Sequence, residues 1–194
     1  MDEIETLVIL ASSSPRRREL LDQIGVTYEV VHVDIDESVS EAENAGDYVM
    51  RMSLEKARRG FLVADKKYVT IGADTCIECD GEVLGKPDDD KTAAQLLSKL
   101  SNRGHTVHTA VTIVNAQSEA TALCSSTVYF DKLEQSTIDA YIATGEPLDK
   151  AGAYAIQGQA AQFITKLEGS YSSVMGLPLY ETAKLLREFG IKTI

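Results

Sequence analysis

An α/β fold with a mixed sheet is what this sequence predicts, on three observations. Short apolar stretches that suit buried strands alternate with stretches whose apolar residues recur at helical spacing. Glycine, proline and Asp-Gly signals punctuate the boundaries between them. The 194 residues, 44% hydrophobic and 25% charged, suffice for one domain with a proper core, and no repeat, linker or low-complexity tract divides them.

The elements follow in order. Residues 7–11 are all apolar and read as a short buried strand. Ser14 suits the N-cap of the next helix, Pro15 its first position and Gly25 its stop. Valine-rich residues 27–33 suggest a second strand, and residues 45–64 carry helical apolar spacing. A strand over 68–78 leads to the hairpin signal Asp80-Gly81, and 91–100 is an amphipathic helix. Residues 105–114 and 120–130 alternate as paired strands joined near Gln117 and Ser118. A short helix over 136–144 closes at Gly145, and a glycine-bearing loop spans 152–158. A strand near 163–167 and a last helix from Pro178 to Phe189 complete the order.

Charge and composition exclude several classes. A formal net charge of −11 weighs against nucleic-acid binding, which needs a basic face. No segment approaches the roughly 18 consecutive apolar residues of a membrane span. The acidic start Met1-Asp2-Glu3-Ile4-Glu5 lacks the basic and apolar regions of a signal peptide. Cys76, Cys79 and Cys124 are too few and scattered for a disulfide framework, so the expectation is a cytoplasmic protein with no membrane partner. A polyphosphate would approach against the overall field and would need locally concentrated cations.

Ser12-Ser13-Ser14-Pro15-Arg16-Arg17 supplies such a concentration. A helix start presents unpaired N–H groups and about half a positive charge, so acidic residues are the usual occupants of its first turn. Arg16 and Arg17 stand there instead, against the dipole, and that opposition vanishes if a phosphate sits at the tip among arginines, N–H groups and serine hydroxyls. Arg17 lines up with the apolar stripe Leu20, Leu21 and Ile24, whereas Arg18, with Asp22 four residues on, reads as solvent-facing.

Further inward charges follow. On the helix over 45–64, Ala45, Val49, Met52, Ser53, Gly60 and Val63 fall within one arc, and Lys56 lies in its middle, while Arg51 and Arg58 point the other way. A lysine so placed snorkels, pairs, or faces a polar pocket. Asp74 ends the apolar run Val69-Thr70-Ile71-Gly72-Ala73, a place where open α/β sheets hold ligands. Lys86 lies on the return leg of the same hairpin. A two-residue turn pairs Thr75 with Lys86, and a one-residue bulge would instead bring Asp74 and Lys86 to one face; both registers stay open. Glu37, with Glu41 and Glu43 close behind, could join Asp74 in holding Mg2+, which takes one or two protein carboxylates and fills its other positions with water and phosphate.

Other motifs fail on geometry. Gly81 to Lys86 is one residue short of a P-loop, and Pro87 holds the Ser/Thr position. Cys76 with Cys79 and His105 with His108 have zinc-like spacing, yet residues three apart on a strand face opposite ways. Residues 30–36, a valine-rich run into Asp34-Ile35-Asp36, resemble the nucleophile segment of aspartyl-phosphate phosphatases; Asp34 as nucleophile is the best alternative enzyme reading.

The run Leu10-Ala11-Ser12-Ser13-Ser14-Pro15-Arg16-Arg17 with Glu19-Leu20-Leu21 resembles the opening signature of the Maf family of nucleoside triphosphate pyrophosphatases. The resemblance continues through Glu55-Lys56-Ala57, Ile71-Gly72-Ala73-Asp74-Thr75, Leu84-Gly85-Lys86-Pro87 and His105-x-Val107. It extends to Asp149-Lys150-Ala151-Gly152-Ala153-Tyr154, Ile156-Gln157-Gly158 and Val174-Met175-Gly176-Leu177-Pro178, spanning nearly the whole chain. It implies a single domain over residues 1–194, a two-lobed mixed-sheet α/β fold with a deep central cleft of the Maf/Ham1-like kind, and a homodimer. It implies metal-dependent cleavage between the α- and β-phosphates to a nucleoside monophosphate and pyrophosphate, a house-cleaning of the nucleotide pool with a link to cell-division arrest.

In the family, the aspartate matching Asp74 is the general base, and residues matching Arg16, Thr75 and Gln157 bear on substrate choice. The forms present here resemble the branch acting on dTTP and UTP. The expected site therefore comprises Asp74 as catalytic residue, Ser12, Arg16, Arg17, Lys56, Thr75, Lys86 and Gln157 around substrate, and Glu37 with Asp74 around a divalent cation, Mg2+ or alternatively Mn2+. Ala155 and Ala160 stand where many members have glycine, as does Asn102. A nucleotide-binding regulator of cell division with little catalysis is the reading from a different class.

Overall fold

The computed structural model describes residues 7–40 and 43–194, so Glu41 lies outside the described residues. Among the described residues, seven strands form one mixed sheet, accompanied by six α-helices: β1 Val8–Leu10, α1 Pro15–Gln23, β2 Tyr28–Val30, α2 Ala45–Val63, β3 Val69–Cys79, β4 Glu82–Leu84, α3 Asp90–Leu100, β5 Gly104–Val114, β6 Glu119–Phe130, α4 Gln135–Ile142, β7 Ile164–Glu168, α5 Tyr171–Met175 and α6 Leu179–Glu188. The strand order is β2-β1-β3-β5-β6-β7, with β4 paired to β3. Strand β1 is parallel to both its neighbours, and β4 and β7 are antiparallel to theirs.

The chain divides into two compact units. The first comprises Met1–Asp74, Thr109–Cys124 and Gly176–Ile194; the second comprises Thr75–His108 and Ser125–Met175.

In the first unit, Val8, Ile9 and Leu10 are buried between parallel neighbours, as a run without alternation requires. The second strand is shorter than residues 27–33. It is an edge strand whose sole partner, β1, ends at Leu10 opposite Val30, and the bond from Val31 N to Leu10 O is the last between them. Residues 31–40 carry no regular structure, which removes the strand that would present Asp34, and Asp34 is exposed. On α2 the expected arc is buried at Ala45, Val49, Met52, Ser53 and Gly60, while Val63 at the helix end is exposed.

In the second unit, the hairpin pairs Ile77, Glu78 and Cys79 with Leu84, Val83 and Glu82, the register of a two-residue Asp80-Gly81 turn without a bulge. Pairing stops at Leu84, and the Gly85 carbonyl accepts from Gly152 N at 3.0 Å, so Lys86 lies beyond the ladder. Asn102 has φ of 57°, a left-handed conformation asparagine tolerates, which accounts for its standing in a glycine's place. Ala155 and Ala160 are buried, and neither has a positive φ, so neither needs to be glycine. Sequence periodicity did not foresee the five-residue α5 or the 3-10 segments at Ala151–Ala153 and Gln159–Phe163, because elements this short carry no periodic signal.

His105, Phe130, Tyr154, Phe163 and Tyr141 form a chain of edge-to-face aromatic contacts with centroids 4.9–6.1 Å apart. His105 Nε2 lies 2.8 Å from the Tyr154 hydroxyl, and burial pulls the imidazole down to about 4 from 6.5. A base whose folded pKa is depressed stabilises fully above its unfolded pKa. That stability is lost as pH falls from 6.5 toward 4, where the unfolded chain takes up a proton that the folded one refuses. Urea unfolding should show a stability loss on the order of 3 kcal/mol across that window from this residue alone. His105→Gln should narrow the difference between pH 7.5 and pH 4; an unchanged slope would place the titration elsewhere.

Candidate active site

The turn between β1 and α1 leaves the start of α1 without a side-chain cap or an acidic residue in its first turn; Ser14 is the N-cap, yet its side chain makes no capping bond. Ser12, nearly buried, accepts from Ser14 N at 3.3 Å and from Arg17 Nη1 at 2.9 Å. Arg17 Nε donates to the Gly176 carbonyl at 2.9 Å. The inward arginine is thus fixed at two points, which ties the Ser12–Arg17 motif to the one around Gly176. Arg16, half-buried, makes no hydrogen bond or ion pair among the described residues, and Arg18 is exposed.

Lys56 neither snorkels nor stands alone. Its ammonium lies 2.7 Å from Glu37 Oε1 and 2.7 Å from Asp74 Oδ1, with only 14% of its side chain exposed. Two carboxylates therefore converge on one positive charge. The donor set fits a hard divalent cation, which accepts oxygen ligands from one or two carboxylates; no group of three or more acidic, histidine or cysteine ligands occurs among the described residues. Burial pulls the Arg17 guanidinium below its ordinary value, Asp74 opposes that, Arg16 adds to it and Glu37 opposes it. These four groups feel one another, and guanidinium stays protonated throughout.

Backbone packing places Lys56 beside Asp74. A Cβ on Gly72 would lie 2.3 Å from the Ser53 carbonyl oxygen and 2.4 Å from Ala57 N, so α2 rests directly on β3 two residues before Asp74. Gly60, one turn beyond Lys56, meets Ala11 in the same way. Ser53 is also tied to β5, its hydroxyl 2.8 Å from that of Thr112.

Glu37 lies outside regular structure and is held by residues the sequence reading did not single out for the site. The Tyr48 hydroxyl donates to the Glu37 carbonyl at 3.0 Å. Arg51 donates to both oxygens of Glu43 at 2.7 and 2.6 Å and to the Ser38 carbonyl at 2.9 Å. The Arg51 guanidinium holds the Glu43 carboxyl down at about 2. The pair is eight residues apart, a spacing that no helix or strand rule reports.

The remaining expected residues belong to the second unit. Thr75 follows Asp74 on β3 and, by alternation, points the opposite way, on the face where Ile77 packs against Gly152. Lys86 is exposed and unpaired among the described residues. Gln157 is exposed at the tip of the turn closed by Gly158 N donating to the Ala155 carbonyl at 3.0 Å, and its side-chain amide makes no hydrogen bond among the described residues. The two histidines of the zinc-like pair have different surroundings. His105 faces the aromatic cluster, and His108 Nδ1 lies 2.8 Å from the Ser125 hydroxyl.

Gly72→Ala should drive α2 off β3 and destabilise the protein by at least about 1–3 kcal/mol, measured by denaturant unfolding. A variant as stable as the parent would mean that α2 can shift outward at no expense.

Comparison with known proteins gives a consistent result. The family model described as Maf-like protein matches residues 7–189. A dTTP/UTP pyrophosphatase of Vibrio vulnificus is 48% identical over 94% of this chain and 98% of its own. One of Methylobacillus flagellatus is 47% identical over 98% and 96%, and one of Alkalilimnicola ehrlichii is 50% identical over 95% and 93%. Among solved structures, the Staphylococcus aureus Ham1 protein is 16% identical and aligns with a TM-score of 0.43 over 95% of this chain and 97% of that one. No described helix is long and apolar enough to cross a membrane.

Proposed function

Because the chain belongs to the Maf family, we propose that it hydrolyses dTTP and UTP between the α- and β-phosphates, releasing the nucleoside monophosphate and pyrophosphate. The observation that carries this reading is the Lys56 ammonium gripping Glu37 and Asp74 in the same unit as the inward Arg17. Here a chain of net charge −11 concentrates cations and carboxylates together, the mixture that polyphosphate hydrolysis needs.

Their positions support a division of roles. Arg16, unpaired, and Arg17, fixed by Ser12 and Gly176, bind phosphate oxygens at the start of α1. Lys56 and Lys86 neutralise the triphosphate and the leaving pyrophosphate. Asp74, its Oδ1 held by Lys56, orients the attacking water and takes its proton as the anhydride bond breaks and the bridging oxygen leaves with pyrophosphate. Glu37 and Asp74 would hold a divalent cation, Mg2+ or alternatively Mn2+, which when bound supplies charge neutralisation at the phosphates. Gln157, with its amide unengaged, offers one donor and one acceptor that match O4 and N3–H of uracil or thymine, and cytosine reverses that pattern. Thr75 adds a contact on its own face of β3. The free thiols Cys76, Cys79 and Cys124 support a reducing, cytoplasmic setting.

Pyrophosphate release with Mg2+ across dTTP, UTP, CTP, ATP and GTP tests the reading. It should be strong for dTTP and UTP and weak for the rest. Nucleotide binding without turnover would favour the regulatory alternative, and inorganic phosphate from monophosphates would favour phosphatase chemistry at Asp34. Asp74→Asn should retain nucleotide binding and lose about 10²–10⁴-fold in turnover; parental turnover would remove Asp74 from the mechanism.

A further inference from the structure

Just after the end of α4 stands an acidic residue that the proposed reaction leaves without a task. Glu146 accepts from the Tyr141 hydroxyl at 2.8 Å, from Gln159 N at 3.0 Å and from Ala160 N at 3.4 Å. Its own amide donates to Thr144 Oγ1 at 3.1 Å, which fixes the backbone from which the carboxylate reaches across. Burial raises its pKa, but the Gln159 amide, the Tyr141 hydroxyl and the Ala160 amide outweigh burial and leave the group below the ordinary glutamate value. It is therefore an anion at neutral pH.

Besides Tyr141, the carboxylate meets three residues that follow directly on Gln157. A Cβ on Gly158 would lie 2.3 Å from Oε1 and 2.5 Å from Oε2, so the carboxylate lies flat against the bare backbone there. With the amides of Gln159 and Ala160, one side chain contacts Gly158, Gln159 and Ala160 in succession. Tyr141 stacks edge-on against Phe163 at 5.1 Å, so the carboxylate and the end of the Gln159–Phe163 turn share one rigid support. A carboxylate that accepts two backbone amides is a strong, directional anchor.

We propose that Glu146 is a positioning residue for substrate selection: its carboxylate fixes the turn that presents Gln157, and so sets how the base is read. The proposal rests on Gln157 as the base reader. Glu146 touches no substrate; it acts through the backbone. Glu146→Gln keeps the size but replaces one acceptor oxygen with a donor that opposes either the Gln159 amide or the Ala160 amide, which bond different oxygens. Losing one such charge-assisted bond corresponds to roughly a tenfold effect.

The experiment compares Glu146→Gln, Tyr141→Phe and Gln157→Ala with the parent, using UTP and CTP with Mg2+, alongside amide hydrogen exchange. Glu146→Gln should raise KM for UTP about tenfold while kcat stays within about threefold, cut the UTP-over-CTP preference by a similar factor, and speed exchange at Gln159 and Ala160. Tyr141→Phe, which leaves both amide bonds in place, should move the same readouts in the same direction by less, and it carries the test if Glu146→Gln does not fold. A purely structural role would instead lower kcat for both nucleotides alike, or lower Tm without altering preference, and either result overturns the proposal. A preference changed by Gln157→Ala and untouched by the other two variants also overturns it. A preference unmoved even by Gln157→Ala removes the base reader itself, and the proposal falls with its premise.

Discussion

The contact of helix backbone on strand backbone at Gly72 is the constraint on which the Lys56–Asp74–Glu37 cluster depends. Without a side chain at that position, α2 settles until the Ser53 carbonyl and the Ala57 amide lie against β3. Any larger residue sets the helix further out, because packed interiors yield little to extra volume. At that separation Lys56 spans to Asp74 and Glu37 together. The Ser53 hydroxyl bond to Thr112 then pins the same helix to a second strand.

The electrostatics follow from that packing. A lysine with 14% of its side chain exposed is expensive to desolvate unless paired, and here it is paired twice. One removed partner would leave charge stranded, so Lys56, Glu37 and Asp74 stand or fall together. Glu37 is the weaker member by construction, more than half exposed and lying on irregular backbone. Tyr48 and Arg51 on α2 make up for this, donating to the Glu37 and Ser38 carbonyls and to the Glu43 carboxylate.

Much of this was legible in the residues alone. The arginines in the first turn of a helix broke a local rule, and that turn holds no acidic residue to offset them, while the helical arc put Lys56 inward. Asp74 was singled out as closing an apolar run, but β3 continues past it to Cys79, so it stands inside the strand rather than at its end, and the hairpin register, left open by the sequence, is that of the two-residue turn. What stayed hidden depends on contacts distant in sequence. The Gly176 carbonyl as partner of Arg17 is invisible to any window of local periodicity, and the Arg51–Glu43 clamp runs at a spacing without a rule. The early stop of β2 was set by the length of its neighbour, which no property of residues 27–33 records. The anchoring of the Gln157 turn by Glu146 lacked a signal for the same reason: a carboxylate binding backbone amides leaves no mark on the identity of the residues that donate them.

The bond between Arg17 and the Gly176 carbonyl spans 159 positions of the chain. Contacts of such separation require a long loop to close before they contribute, and they form late in folding. During synthesis, β1 and α1 leave the ribosome long before Gly176 does, and until then the guanidinium has Ser12 for a partner but not its second support. The orientation of the Arg17 guanidinium is thereby coupled to completion of the fold: a nascent or truncated chain has the arginine but not its second support.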